Sequence, residues 1–336
     1  MKRMGRFLAG LLVGLLLGGV LGHLGGRFTM KSPERVVREP QKPGEAQLAY
    51  TPPEPATVSL EMVRANTFLA SMLKPKLWKL SETLYAATGY ALGNVAVVVT
   101  PEGLVVIDTT ESLESAREIL AAVREISPLP VRCVIYTHSH LDHVMGAKAF
   151  VGPETQVIAS SRFPEVSSFQ HELLQSFQLS ARANQGGKSA EGFGFPLPID
   201  RSPLRGLGRA EDIVPPTILV DEPYTFTLGG MQFEVFRTSG ETSDHLAVWL
   251  PGQRALMVGD LYYHSFPNLS TPMLEPRPVL EWARSVERFE ALEPAILVPG
   301  HTTPLEGAPE IADTLKHYAE AIRYVHDATV RCINEG

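Results

Sequence analysis

Cysteine is almost absent. Cys133 and Cys332 are the only two in 336 residues, too few for a disulfide framework and without the spacing of a cysteine-based zinc site. Cys133 lies in the apolar run VRCVIY and reads as a small buried hydrophobe. Positive charge is also scarce over most of the chain. Seven Lys and Arg against Glu34 and Glu39 give residues 1–40 a net of +5; the whole chain is −7, so residues 41–336 carry −12. A body this acidic is not built to hold a nucleic-acid backbone as its main partner. No short-period repeat appears.

Long apolar runs are limited to one, residues 7–26, preceded by Lys2, Arg3 and Arg6. Twenty residues rising 1.5 Å each make about 30 Å as a helix, the depth of a bilayer core. A cleaved signal peptide and an uncleaved anchor both fit residues 1–30, and the missing Ala-x-Ala-like site favours the anchor. Gly10, Gly14, Gly18, Gly22 and Gly26 form a small-residue stripe of the kind that lets membrane helices approach closely. Basic residues flank both ends, so charge does not set the orientation. The expectation is membrane association through this segment, with the body outside the cytoplasm. Residues 31–57, rich in Pro, Glu, Lys and Arg, read as a linker.

Beyond residue 58 the pattern is that of an α/β protein. Residues 94–100, 104–110, 131–137, 155–160, 224–228, 231–238, 245–250, 255–260 and 295–301 read as strands. Three-and-four spacing of apolar residues marks helices over 58–73, 112–126, 164–183, 278–292 and 308–334, and 141–150 opens another. Gly and Pro make 185–216 a long loop. Strands and helices followed by strands and helices imply two halves, with sheets packed together and helices outside.

Chemistry concentrates where the strand at 131–137 ends. Of ten histidines, His138, His140 and His143 fall in one window with Asp142, in YTHSHLDHVMG. Imidazoles and carboxylates at this spacing suit zinc, with iron and manganese as further candidates. A second stretch, TSGETSDH at 238–245, offers Glu241 and His245, and either residue type can ligate a metal.

HSHLDH resembles the HxHxDH motif of the metallo-β-lactamase superfamily. The resemblance runs over most of residues 85–306: Asp108 in VVIDTT, Asp260 in VGD and His301 in VPGH match its other signature positions. It implies an αββα sandwich over 58–306 with two divalent metals, zinc foremost, at one edge of the sheets. His138, His140, Asp142, His143, Asp260 and His301 would be metal ligands, with Asp260 bridging. Asp142 and Asp260 would take part in catalysis, and Asp108 would support the histidine loop. Laid on the superfamily's TPGHTxGH, TSGETSDH puts Glu241 at the ligand position and His245 behind it.

A glutamate there is similar to the alkylsulfatases of this superfamily, as are GDLYYHSFPNL, LEPAILVPGHTTPLEG and the helix 307–336, which in that group leads into a dimerisation domain. The implied partners are a small-molecule ester, foremost a sulfate ester, and a second copy of the chain; thioesters, lactams and phosphodiesters are the alternative substrates. A redox role is disfavoured because His140 stands where that branch has glutamate. A vestigial binding protein is disfavoured by the complete set of seven ligand positions. The arginine of an Arg-Gly pair expected after NL is missing from NLSTPMLEPRPV, where Asn268 and Arg277 are the remaining matches. Glutamate instead of histidine also adds negative charge, so a nearby cation is expected to draw in an anionic substrate, with Arg277 and His264 as candidates.

Overall fold

A computed structural model describes residues 74–168, 212–269 and 276–335. The expected span 7–26, the linker and the helices at 58–73 and, for the most part, 164–183 lie outside the described residues. No helix among the described residues is long and apolar enough to cross a membrane.

The first sheet has seven strands in chain order: β1 (Lys76–Lys79), β2 (Leu84–Thr88), β3 (Val95–Thr100), β4 (Gly103–Ile107), β5 (Val131–Ile135), β6 (Gln156–Ser160) and β7 (Ile218–Val220). β1 to β4 run antiparallel, and β4 to β7 are parallel. Helix α1 (Leu113–Arg124) provides the crossover from β4 to β5, capped by the Ser112 side chain accepting the Ser115 N–H. The second sheet contains β8 (Tyr224–Leu228), β9 (Met231–Arg237), β10 (Leu246–Leu250), β11 (Ala255–Gly259), β12 (Ile296–Pro299) and β13 (Leu305–Glu306), in the order β13-β12-β11-β10-β9-β8.

Strand residues alternate between two cores, which is why the runs read as continuously apolar. Val105 and Ile107 of β4 face the core between the sheets, where they meet Val248 and Met257, while Leu104 and Val106 face α1. On the other sheet Ala247, Trp249, Leu256 and Val258 face the helices α3 (Val279–Ala291) and α4 (Ala308–Glu335), against Trp282, Phe289, Ile311 and Leu315. The order of layers is therefore helix, sheet, sheet, helix. Trp282 is fully buried and donates its indole N–H to Leu261 O at 2.9 Å.

One expected element is shorter than its pattern. Residues 141–150 form a single turn, α2 (Leu141–Val144), and then a 3-10 turn at Ala147–Ala149. The His143 carbonyl, which a continuing helix needs, accepts instead from Thr109 N–H and Oγ1 at 2.8 and 3.0 Å. Gly146 packs so tightly here that an added Cβ would stand 1.9 Å from Thr109 O. The helix is broken in order to seat the histidine loop on the end of β4.

Candidate metal centre

The candidate residues leave the ends of four strands on one edge of the sandwich. Asp108 follows β4, residues 137–143 follow β5, Asp260 follows β11 and His301 follows β12. Glu241 and His245 lie between β9 and β10. The sheets are tied together here by Leu246 N–H donating to Thr137 O at 2.6 Å.

Asp108 organises the histidine loop. Its backbone takes a left-handed φ of 60°, a region Asp tolerates better than most residues. Its carboxylate accepts Thr137 N–H, Thr137 Oγ1–H and His143 Nδ1–H, each at 2.8 Å. With its hydrogen on Asp108, Thr137 Oγ1 accepts from His138 Nδ1 at 3.0 Å. His301 Nδ1 donates to Leu92 O at 2.8 Å. Three imidazoles are thus anchored through Nδ1 and present Nε2 to the same space, the arrangement that fixes tautomer and aim in a metal site.

The side chains converge closely. His143 Nε2 is 3.5 Å from Asp142 Oδ2 and 3.3 Å from Asp260 Oδ1; His301 Nε2 is 3.2 Å from Asp142 Oδ2 and 3.1 Å from Asp260 Oδ2. His140 Nδ1 lies 2.9 Å from His138 Nε2 and 3.6 Å from Glu241 Oε1. Three donor groups each fall within 4.8 Å: Asp142, His143 and His301; His140, Glu241 and Asp260; His138, His143 and Asp260. Gly300 makes room, since a Cβ there would sit 2.3 Å from Asp260 Oδ1.

Glu241 and His245 occupy different places. Glu241 reaches the cluster. His245 is turned behind it, its ring stacked on His138 with centroids 4.9 Å apart. Its Nε2 accepts the Asp260 N–H at 3.2 Å and its Nδ1 donates to Thr238 Oγ1 at 2.9 Å. Burial holds it neutral, pushing its pKa down to about 3. Two glycines set this loop. A Cβ on Gly240 would strike Leu261 and Trp282, and one on Gly259, with φ +50°, would strike His245.

The donor set fits divalent metal ions. His140 Nε2, His143 Nε2 and Asp260 Oδ1 are buried without a hydrogen-bond partner, a state that polar atoms rarely keep without a further ligand. Burial opposes charge on His143 and His301, yet Asp260 and Asp142 hold both well above the usual histidine range. Burial and the Asp260 charge push the Glu241 carboxyl up to about 8, against the pull of Arg277. So many buried carboxylates call for cations at this point.

The expected substrate residues sit otherwise. Arg277 is buried and donates to Glu241 Oε1 and to the Asn268 carbonyl. Its charge therefore lies under the ligand shell and is not directed outward. His264 donates to Thr303 O at 2.9 Å, and burial lowers its pKa, so it offers no cation to an anion. Asn268 is exposed and meets Arg277 through its backbone carbonyl. Tyr263, which no motif singles out, points its one Oη–H between Glu241 Oε2 at 3.1 Å and Asp260 Oδ2 at 3.3 Å. Only its place three residues after VGD hinted at this.

Comparison with known proteins agrees with this geometry. The sequence model of the metallo-beta-lactamase superfamily matches residues 89–301. The chain is 30% identical over 249 residues to a linear primary-alkylsulfatase of a Pseudomonas species, covering 70% of this chain and 46% of that protein. It is 29% identical over 281 residues to the alkyl/aryl-sulfatase BDS1 of Saccharomyces cerevisiae, covering 77% and 42%. The chain therefore spans less than half the length of these curated relatives. The solved structure of the stereoselective inverting sec-alkylsulfatase Pisa1 from Pseudomonas superposes with a TM-score of 0.66 at 21% identity, covering 80% of this chain and 45% of that one, which establishes shared fold.

Proposed function

The chain belongs to the metallo-β-lactamase superfamily, and from that premise we propose that it is a hydrolase of sulfate esters using two divalent metal ions, zinc foremost. The observation that carries the reading is the convergence of seven donor side chains with orphaned buried atoms at their centre. His138, His140 and Glu241 are assigned to one metal, Asp142, His143 and His301 to the other, and Asp260 to both. Asp260 faces His138 through Oδ2 at 3.7 Å and His143 and His301 through Oδ1 and Oδ2 at 3.3 and 3.1 Å, which supports its shared place. Divalent ions bound by these residues would supply a water of lowered pKa, about 7, and would offset charge on a substrate oxygen.

The protein's own residues hold this arrangement in place. Asp108 aims His143, Thr137 aims His138, and His245 restrains the backbone of Asp260. Arg277 and Tyr263 fix the two oxygens of Glu241.

The sulfate-ester assignment is supported by the similarity to alkylsulfatases and by a glutamate at position 241. The missing Arg-Gly pair after Asn268 favours a second reading, hydrolysis of thioesters, lactams or phosphodiesters at the same site. Metal analysis of the purified chain, together with hydrolysis of a panel of sulfate esters, thioesters and lactams, separates the two. Turnover of thioesters or lactams without sulfate release would reject the first reading.

A further inference from the structure

A further buried carboxylate lies outside the seven-residue donor set. Glu111 is 5% exposed and lies just before α1. Its two oxygens accept Leu92 N–H at 2.9 and 3.1 Å, and Oε2 accepts Gly93 N–H at 3.4 Å. Residues 92–94 lie between β2 and β3, and this turn touches two candidate ligands. The Leu92 carbonyl is the acceptor for His301 Nδ1 at 2.8 Å. Gly93 lies against Asp142 so closely that a Cβ would stand 2.0 Å from its carbonyl oxygen. Asn94 pins the strand end that carries His301: its N–H bonds Gly300 O at 2.7 Å, and its amide donates to Pro299 O and Thr302 O at 3.0 and 2.7 Å.

A carboxylate is well suited to gather two successive backbone N–H groups, since charged acceptors make the stronger bonds. Without it these donors lose their acceptor in a largely enclosed turn, a state with a full desolvation cost. The turn would then settle elsewhere, taking Leu92 O away from His301 and Gly93 away from Asp142.

We propose that Glu111 is a positioning residue for the Asp142–His143–His301 metal: by clamping the turn at residues 92–94 it sets the ring orientation of His301 and the seat of Asp142. This rests on the reading of those three residues as ligands. The position lies 190 residues from His301 in sequence, so the link exists only in the fold.

The test is zinc titration of full-length apo-protein against a chromophoric chelator, paired with cobalt(II) absorption spectra. Wild type should take up two metals. Glu111→Ala should weaken one of them by about 10- to 100-fold, the usual effect of losing a group that orients a ligand, and should change the cobalt spectrum. Glu111→Asp should recover part of the affinity. In a His301→Ala background, Glu111→Ala should add little, because both act on one site. Should Glu111→Ala misfold, near-isosteric Glu111→Gln provides the same comparison with a smaller expected loss. Unchanged zinc affinities and an unchanged cobalt spectrum, with only a lower melting temperature, would make Glu111 a folding clamp and overturn the proposal. A wild-type chain that binds no metal would instead overturn the ligand reading itself.

Discussion

Arg277 places its guanidinium on Glu241 Oε1, with the two side chains 3% and 5% exposed. Tyr263 takes the other oxygen. Once a bound cation keeps Glu241 ionised, the carboxylate joined to a fixed arginine would carry no net charge, as a neutral imidazole does. Glu241 with Arg277 is therefore the electrostatic counterpart of the histidine that fills this position in the motif TPGHTxGH. The pair also explains how a carboxylate is accommodated so deeply beside Asp260, because a buried charge needs a bonded partner.

Above about pH 8, where Glu241 is ionised, Arg277→Met should destabilise the metal-free protein by about 3–5 kcal/mol, the usual effect of stranding one member of a buried pair. The loss should be smaller in the metal-loaded protein, where a bound cation offsets Glu241. Urea unfolding of both forms reads the difference. If the metal-free variant unfolds at the wild-type midpoint, the pair does not hold the site together.

Protein purified without chelators should contain about two divalent metal ions per chain. His140→Ala should lose metal and activity together, because a methyl group cannot replace an imidazole ligand. Elemental analysis gives the stoichiometry. A metal-free wild type with activity would refute the whole arrangement.

Most of the candidate donors are legible because they follow largely buried strands whose apolar runs end at a polar residue; Glu241, in the loop after the half-exposed β9, is the exception. VRCVIY before the histidines, ALMVG before Asp260 and ILVP before His301 are of this kind. β1 left no such mark: its Lys76 and Lys79 are exposed on an edge strand. β7 and β13 are only three and two residues long. The early end of α2 depends on Thr109 taking the His143 carbonyl, a contact no local pattern encodes. Arg277 is 36 positions from Glu241 and Glu111 is 19 from Leu92; such bonds appear only when the loops at the edge of each sheet come together. Arg277 and His264 were expected to face an anion because their charge was visible and their burial was not.

The anchoring proposed for residues 7–26 has a direct test. Full-length protein should stay in the membrane pellet through a carbonate wash, and a chain lacking residues 1–30 should move to the supernatant. Release of the full-length chain would count against an anchor. Protease protection in sealed vesicles then tests the proposal that the body lies outside the cytoplasm.

Glu241 and His245 are separated most sharply by exchanging their chemistry. Glu241 reaches His140 and His245 does not reach the cluster with a free nitrogen, since both of its ring nitrogens are bonded. Glu241→Gln should therefore weaken one metal, a neutral amide being a poor zinc ligand. Glu241→His should keep both metals while leaving Arg277 without its partner, so the site gains a positive charge and its inhibition by sulfate should tighten. His245→Ala should keep both metals at low chelator concentration and reduce affinity by roughly 10- to 100-fold, because what it loses is the restraint on Asp260. Metal content measured after graded dialysis against chelator ranks the three variants. The opposite ranking, with His245→Ala empty at one site and Glu241→Gln fully loaded, would transfer the ligand role to His245 and remove the glutamate that ties this chain to the alkylsulfatases.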